Sequence, residues 1–137
     1  MDEETLTRDQ ARELAFRLLF AGDCGGLSAK EILQEAEELD ALPRDLRAYV
    51  ERLVRGVLHY RRSLDRLYAP VLEGWTVERL SGVERTLLRM ALYEIRRNLA
   101  TTEEAIRAAR ELAARYGEES APTFLEGVLR AALERHQ

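Results

Sequence analysis

The chain has 137 residues, a formal net charge of −4 and 46% hydrophobic residues, which suits one domain, or two small packed halves, with a real core. That composition excludes a disordered chain, and no apolar run approaches the ~20 residues that a bilayer span needs. The acidic start, Met1 to Thr7, lacks the basic and apolar regions of a secretory signal, so a soluble cytoplasmic protein with no membrane contact is expected.

Cys24 is the single cysteine, which rules out an intrachain disulfide and a cysteine zinc cluster. An acidic balance argues against strong autonomous binding to nucleic acid. The positive charge nevertheless has a particular form, with Lys30 the one lysine and every other cation an arginine. Arginine forks suit phosphate and base contacts, although a GC-rich coding sequence produces the same bias.

Taken in order, Thr7-Arg-Asp-Gln10 reads as a capping box that opens a first helix. Ala11, Leu14, Ala15, Leu18 and Leu19 share one face, Phe16 and Phe20 flank it, and Gly22 with Gly25-Gly26 stops it. Ser28-Ala-Lys-Glu31 opens a second helix with Ile32, Leu33, Ala36 and Leu39 inward, ending at Asp40-Ala-Leu-Pro43. Pro43 suits the first turn of a third helix, whose stripe runs Leu46, Tyr49, Val50, Leu53, Val54, Val57 and Leu58. The pattern continues to Leu72; periodicity leaves open one bent helix or two, with the break expected between His59 and Ser63 and a kink or restart at Pro70.

Trp75 to Arg97 is the organising stretch. Thr76 is expected to cap a short turn, and Ser81-Gly-Val-Glu84 forms a capping box. Val83, Leu87, Leu88, Ala91, Leu92 and Ile95 then form an apolar stripe, with Arg85, Arg89, Glu94, Arg96 and Arg97 largely outside it. Asn98 suits a left-handed C-cap. Thr101-Thr-Glu-Glu104 opens the next helix, which buries Ala105, Ile106, Ala109, Leu112, Ala113 and Tyr116 before Gly117. Ser120 is expected to cap the last helix, with Phe124, Leu125, Val128, Leu129, Ala132 and Leu133 on its stripe. No segment alternates with period two between hairpin turns, so the fold class is all-α, with about seven or eight helices.

Catalytic signatures are missing. His59 and His136 belong to no Glu-x-x-His or His-Glu-x-x-His run, and no Gly-rich phosphate loop or Gly-x-Ser-x-Gly elbow is present. Cys24 has no basic neighbour in sequence and reads as a bystander thiol. No enzyme activity, metal or cofactor is expected.

Three ordered stretches carry a resemblance: Ala11 to Phe20; Trp75, Val83-Glu84, Leu88-Arg89 and Ala91 to Ile95; and Glu111 to Gly117 followed by Phe124 to Leu129. Together they resemble the NusB family of transcription antitermination factors from about Arg8 to Leu133. The resemblance implies two packed three-helix bundles, here about residues 7–73 and 76–135. It also implies an RNA-binding adaptor that pairs with NusE, a small-subunit ribosomal protein. Such a pair grips single-stranded boxA of nascent ribosomal RNA and helps RNA polymerase read through terminators, the adaptor itself being a monomer or homodimer.

Residue by residue, Arg8 and Arg12 match the family's arginine-rich run, whereas Asp9 and Gln10 do not. Phe124 matches an aromatic suited to stacking on an unpaired base, although its place on the closing stripe favours a core ring. Glu126 and Arg107 stand where the family has asparagines, and Arg107 restores locally some of the charge lost at Asp9 and Gln10. The implied RNA contacts are therefore Arg8, Arg12, Arg107 and Phe124. The implied partner contacts are Phe20, Glu84 and Arg89, with helix capping open for Glu84 and an internal tether open for Arg89. The alternative reading is a diverged protein–protein adaptor of the same fold with weak or no RNA binding, motivated by the acidic N-terminus and the altered arginine and asparagine positions.

Overall fold

A computed structural model describes residues 3–136, without the side chains of residues 3–7 and of Cys24, whose thiol therefore lies outside the described residues. Seven α-helices follow one another: α1 (Glu3–Gly25), α2 (Ala29–Glu35), α3 (Arg44–His59), α4 (Arg61–Tyr68), α5 (Gly82–Arg96), α6 (Thr102–Tyr116) and α7 (Ala121–Arg135). No strand occurs among the described residues. The chain divides into two compact units, one ending at His59 and the other beginning at Tyr60.

In the first unit α1 packs chiefly on α3, and α2 braces both. Helix α1 starts at Glu3, four residues before the expected cap at Thr7, so Thr7 lies inside the helix. Gly22 does not stop α1. The helix runs on to Gly25, and Gly26 leaves it with φ 66°. Gly22 instead admits Ile32 of α2: a Cβ there would meet the Ile32 Cδ1 and lie 2.8 Å from its Cγ1.

Ser28 and Glu31 form the expected reciprocal cap, but α2 ends at Glu35. A 3-10 turn over Glu37–Ala41 follows and keeps Leu39 buried. Arg47 of α3 secures that turn, donating from Nε to the Leu39 carbonyl (3.1 Å) and from Nη2 to that of Asp40 (3.4 Å). Pro43 sits just before α3, where its carbonyl accepts from the Arg47 amide.

The long pattern after Pro43 resolves into two helices, separated at Tyr60 (φ −100°, ψ 12°). Pro70 lies in a 3-10 turn over Ala69–Val71. Another, Val77–Arg79, precedes α5; Thr76 stands at its start without a side-chain cap bond. Arg85 holds the carbonyls of Val77 and Leu80 at 3.2 Å each, the counterpart of Arg47 in the first unit.

Helix α5 is the hub of the second unit, packing on α4, α6 and α7. With more than one side covered, its burial exceeds the single stripe: Thr86, Met90, Tyr93 and Glu94 are buried too. Glu94, expected outside the stripe, is 2% exposed. The α5 C-terminus closes as a Schellman motif. Asn98 adopts φ 57°, the Leu99 amide donates to the Glu94 carbonyl (2.9 Å) and the Asn98 amide to that of Ile95 (3.2 Å). Thr101 and Glu104 cap α6 as expected. Ser120 precedes α7 but makes no cap bond, and Tyr116, expected inside, is exposed. Trp75, in the connection before α5, is 54% exposed.

Two glycine substitutions separate packing from propensity. Gly22→Ala should destabilise the chain by about 1 kcal/mol, because displacing Ile32 outweighs the helix-propensity gain. Gly127→Ala, in open space on α7, should stabilise it by about 0.5–1 kcal/mol. Urea unfolding of both variants checks the opposite signs.

Candidate functional site

The candidate residues fall on α1 in the first unit and on α5, α6 and α7 in the second. On α1, Arg8 is half-buried, with its guanidinium carbon 5.7 Å from the centroid of the Tyr49 ring. Arg12 is not on a solvated turn. It is 1% exposed, and its Nη1 donates to Asp9 Oδ1 at 2.8 Å. Asp9, a departure from the arginine-rich run, thus pairs with Arg12. At that burial Arg12 is out of reach of a phosphate unless α1 shifts, and it acts as an internal anchor. Phe20 is half-buried and packs against Phe16, ring centroids 5.9 Å apart at 47°.

In the second unit α6 and α7 pack together, which puts Arg107 and Phe124 on neighbouring helices. Arg107 is partly exposed and bonds Glu111 one turn on, Nη1 to Oε2 at 3.1 Å. Phe124 is half-buried, neither in the core nor fully exposed. Beside it, Glu126 accepts from Arg110 Nη1 (2.8 Å) and from Arg130 Nε (2.9 Å). Arg130 also grips Glu103 of α6 in a two-pronged bond, at 3.1 and 3.0 Å. These hydrogen bonds hold the Glu126 and Glu103 carboxyls below the usual carboxylate range, the bond from Arg130 being the leading cause for each. The charge that Glu126 brings to the asparagine position is therefore shared between two arginines.

On α5, Glu84 Oε1 accepts from the Ser81 amide (3.3 Å) and hydroxyl (3.1 Å), while the Glu84 amide donates to Ser81 Oγ (3.1 Å). This is the cap expected from sequence. The residue remains half-exposed, and a carboxylate has acceptor sites to spare. Arg89 takes the tethering role. Its Nε and Nη2 reach Asp65 Oδ1 and Oδ2 of α4, each at 2.8 Å, and its side chain is 11% exposed. Tyr68 donates its hydroxyl to the same Asp65 Oδ1 at 2.8 Å. Burial first, and then the Asp65 charge, push the Tyr68 phenol above its ordinary range.

The sequence reading missed Asp65, Tyr68, Glu103, Arg110 and Arg130. The Glu126–Arg130 and Asp65–Tyr68 spacings, four and three residues on a helix, are signals that could have found two of these contacts. Asp65–Arg89 spans 24 residues and leaves no local trace. Among the described residues no cluster of side chains could hold a metal ion, and no helix is long and apolar enough to cross a membrane.

Helix count, capped α5 and arginine–carboxylate network define an all-α protein of two compact helical units. A family model described as the NusB family matches residues 9–134, and the chain belongs to that family. It is 40% identical over 131 residues to the transcription antitermination protein NusB of Rubrobacter xylanophilus, covering 95% of this chain and 92% of the relative. With the NusB of Thermus thermophilus it shares 34% over 137 residues, covering 93% and 91% of the two chains. Among solved structures, T. maritima NusB matches with a TM-score of 0.84 at 30% identity, covering 93% of this chain and 90% of that one. A structure of antitermination factors NusB and NusE in complex with dsRNA matches with a TM-score of 0.84 at 26% identity, covering 94% and 97%.

Two measurements test the Asp65 node. Asp65→Asn should cost about 2–3 kcal/mol, since it leaves the largely buried Arg89 fork without its countercharge. The raised Tyr68 phenol means that the folded chain holds that proton more tightly than the unfolded chain does. Its stabilising share is complete below the ordinary phenol value of about 10 and is lost as pH rises beyond it. Denaturant unfolding between pH 8 and pH 11, as approximate bounds around that value, should show this alkaline loss, and Tyr68→Phe should flatten it.

Proposed function

We propose that the chain is a transcription antitermination factor that pairs with a NusE-type ribosomal protein and holds single-stranded boxA of nascent ribosomal RNA, helping RNA polymerase pass terminators. The observation that carries this reading is the end-to-end match to the NusB family, joined to the likeness to NusB in a solved complex with NusE and RNA. Phe20 on α1 and Glu84 at the head of α5 are the partner contacts, both part-exposed. Arg89 serves Glu84 indirectly, by fixing α5 against α4. Arg8, Arg107 and the half-exposed Phe124 ring form the RNA contacts, with phosphates neutralised by arginine and a base stacked on the ring.

Arg12 is buried, and Arg107 and Glu126 are bound within ion pairs. Few cations then meet phosphate, and each accounts for a log–log salt slope of about 0.7 on a single strand. Titration of boxA RNA with and without NusE, at several salt concentrations, should give tighter binding with NusE and a shallow salt slope. A NusE complex with no RNA binding at low salt selects the protein-only adaptor instead.

Glu126→Asn removes one negative charge and releases Arg110 and Arg130 from it. The variant should bind boxA RNA more tightly and with a steeper salt dependence than the unmodified chain, measured in the same titration.

A further inference from the structure

A cavity of about 330 Å³ opens in the second unit where α4 begins and α5 ends, away from Phe124 and Glu84 in sequence. Tyr60, Tyr93, Arg96, Arg97, Ser63 and Leu67 line it. The rings of Tyr60 and Tyr93 stack with centroids 6.4 Å apart at 27°. The Arg97 guanidinium carbon lies 4.6 Å from the Tyr60 centroid and 5.9 Å from that of Tyr93. Tyr93 is buried, whereas Tyr60 is 38% exposed.

The charged side chains that line this cavity, Arg96 and Arg97, are both cations. Arg47, Arg85, Arg89, Arg110 and Arg130 are each committed to a carbonyl or carboxylate. Arg96 and Arg97 make no ion pair among the described residues, and neither do Arg61 and Arg62, which follow Tyr60 on the first turn of α4. With two arginines and no carboxylate in its lining, the cavity has a local positive field in an acidic protein. The nearest carboxylate on α4, Asp65, is occupied by Arg89 and Tyr68.

A positive field beside stacked aromatic rings, with a floor of Leu64 and Leu67, matches a ligand that has both a planar ring and an anion. From this we infer that the Tyr60–Tyr93–Arg97 cavity holds one nucleotide, its base against the exposed Tyr60 ring and its phosphate against Arg96 and Arg97. The volume lies at the lower end of small-ligand sites and is of the size of a single nucleotide. The chemistry rests on the cavity itself. That the nucleotide arrives within an RNA strand rests on the function proposed above, and then gives the strand a second foothold beyond the boxA contacts.

The test uses the full chain at low salt with uridine, uridine monophosphate and oligouridylate, each titrated against the unmodified chain, Tyr60→Leu and the double variant Arg96→Gln/Arg97→Gln. The phosphate-free nucleoside should not bind measurably, the monophosphate should bind weakly and the oligomer more tightly. Tyr60→Leu should weaken the oligomer about tenfold, as loss of one stacked base does. The double arginine variant should lower the log–log salt slope by about 1.4, for two cations at 0.7 each. All substituted side chains are exposed, and circular dichroism checks that both variants fold. Unchanged oligomer binding in both variants overturns the site while leaving RNA binding intact. Binding of neither monophosphate nor oligomer also overturns it, and the boxA titration then judges the function separately. Monophosphate binding that both variants abolish, in a chain that ignores boxA RNA, upholds the cavity and removes the RNA source.

Discussion

The second unit depends on one interaction, the paired bonds from Arg89 to Asp65. Helix α4 has only eight residues, too few to hold together on helix propensity alone. It gains its order by packing on α5 and α7 and by this nearly buried fork, which Tyr68 completes from the same helix. A lone guanidinium at that depth costs several kcal/mol, and so does a lone carboxylate; the pair is tolerable because both prongs are formed and the phenol fills a further acceptor position. With α4 fixed, α5 is enclosed by α4, α6 and α7, and its capped start presents Glu84 at a defined place.

Arginine has the same task elsewhere in the chain. Arg47 and Arg85 each gather carbonyls from a 3-10 turn that precedes a helix, and Arg130 joins α6 to α7 through Glu103 and Glu126. A lysine, with a compact ammonium on a flexible stem, reproduces none of these forked geometries. The near-absence of lysine thus has a structural use whatever its origin in coding bias. It also separates arginines spent inside the protein from those left facing water, a distinction that composition does not carry.

Much of the fold was legible because it is written locally. Reciprocal caps at Ser28, Ser81 and Thr101, the Asn98 terminus and the break near Tyr60 all depend on neighbours within a few residues. Errors came where tertiary contact overrules local signals: Gly22 admits a neighbouring side chain instead of ending α1, and Glu94 is buried because α5 is covered on several sides. The candidate site was less legible for the same reason. Matching an arginine by position could not tell that Arg12 is buried or that Arg89 is bound to a residue 24 positions away. Glu84 was readable in part, since its cap is local and its remaining exposure leaves room for a second role.

The chain's one tryptophan, Trp75, stands in water rather than in the core. An indole that is already hydrated in the native state changes its emission little when the chain unfolds. It responds strongly, however, when another molecule covers it. Six residues before the Ser81 cap, Trp75 is therefore a built-in optical probe of docking near the head of α5, and a poor gauge of whether the core is intact.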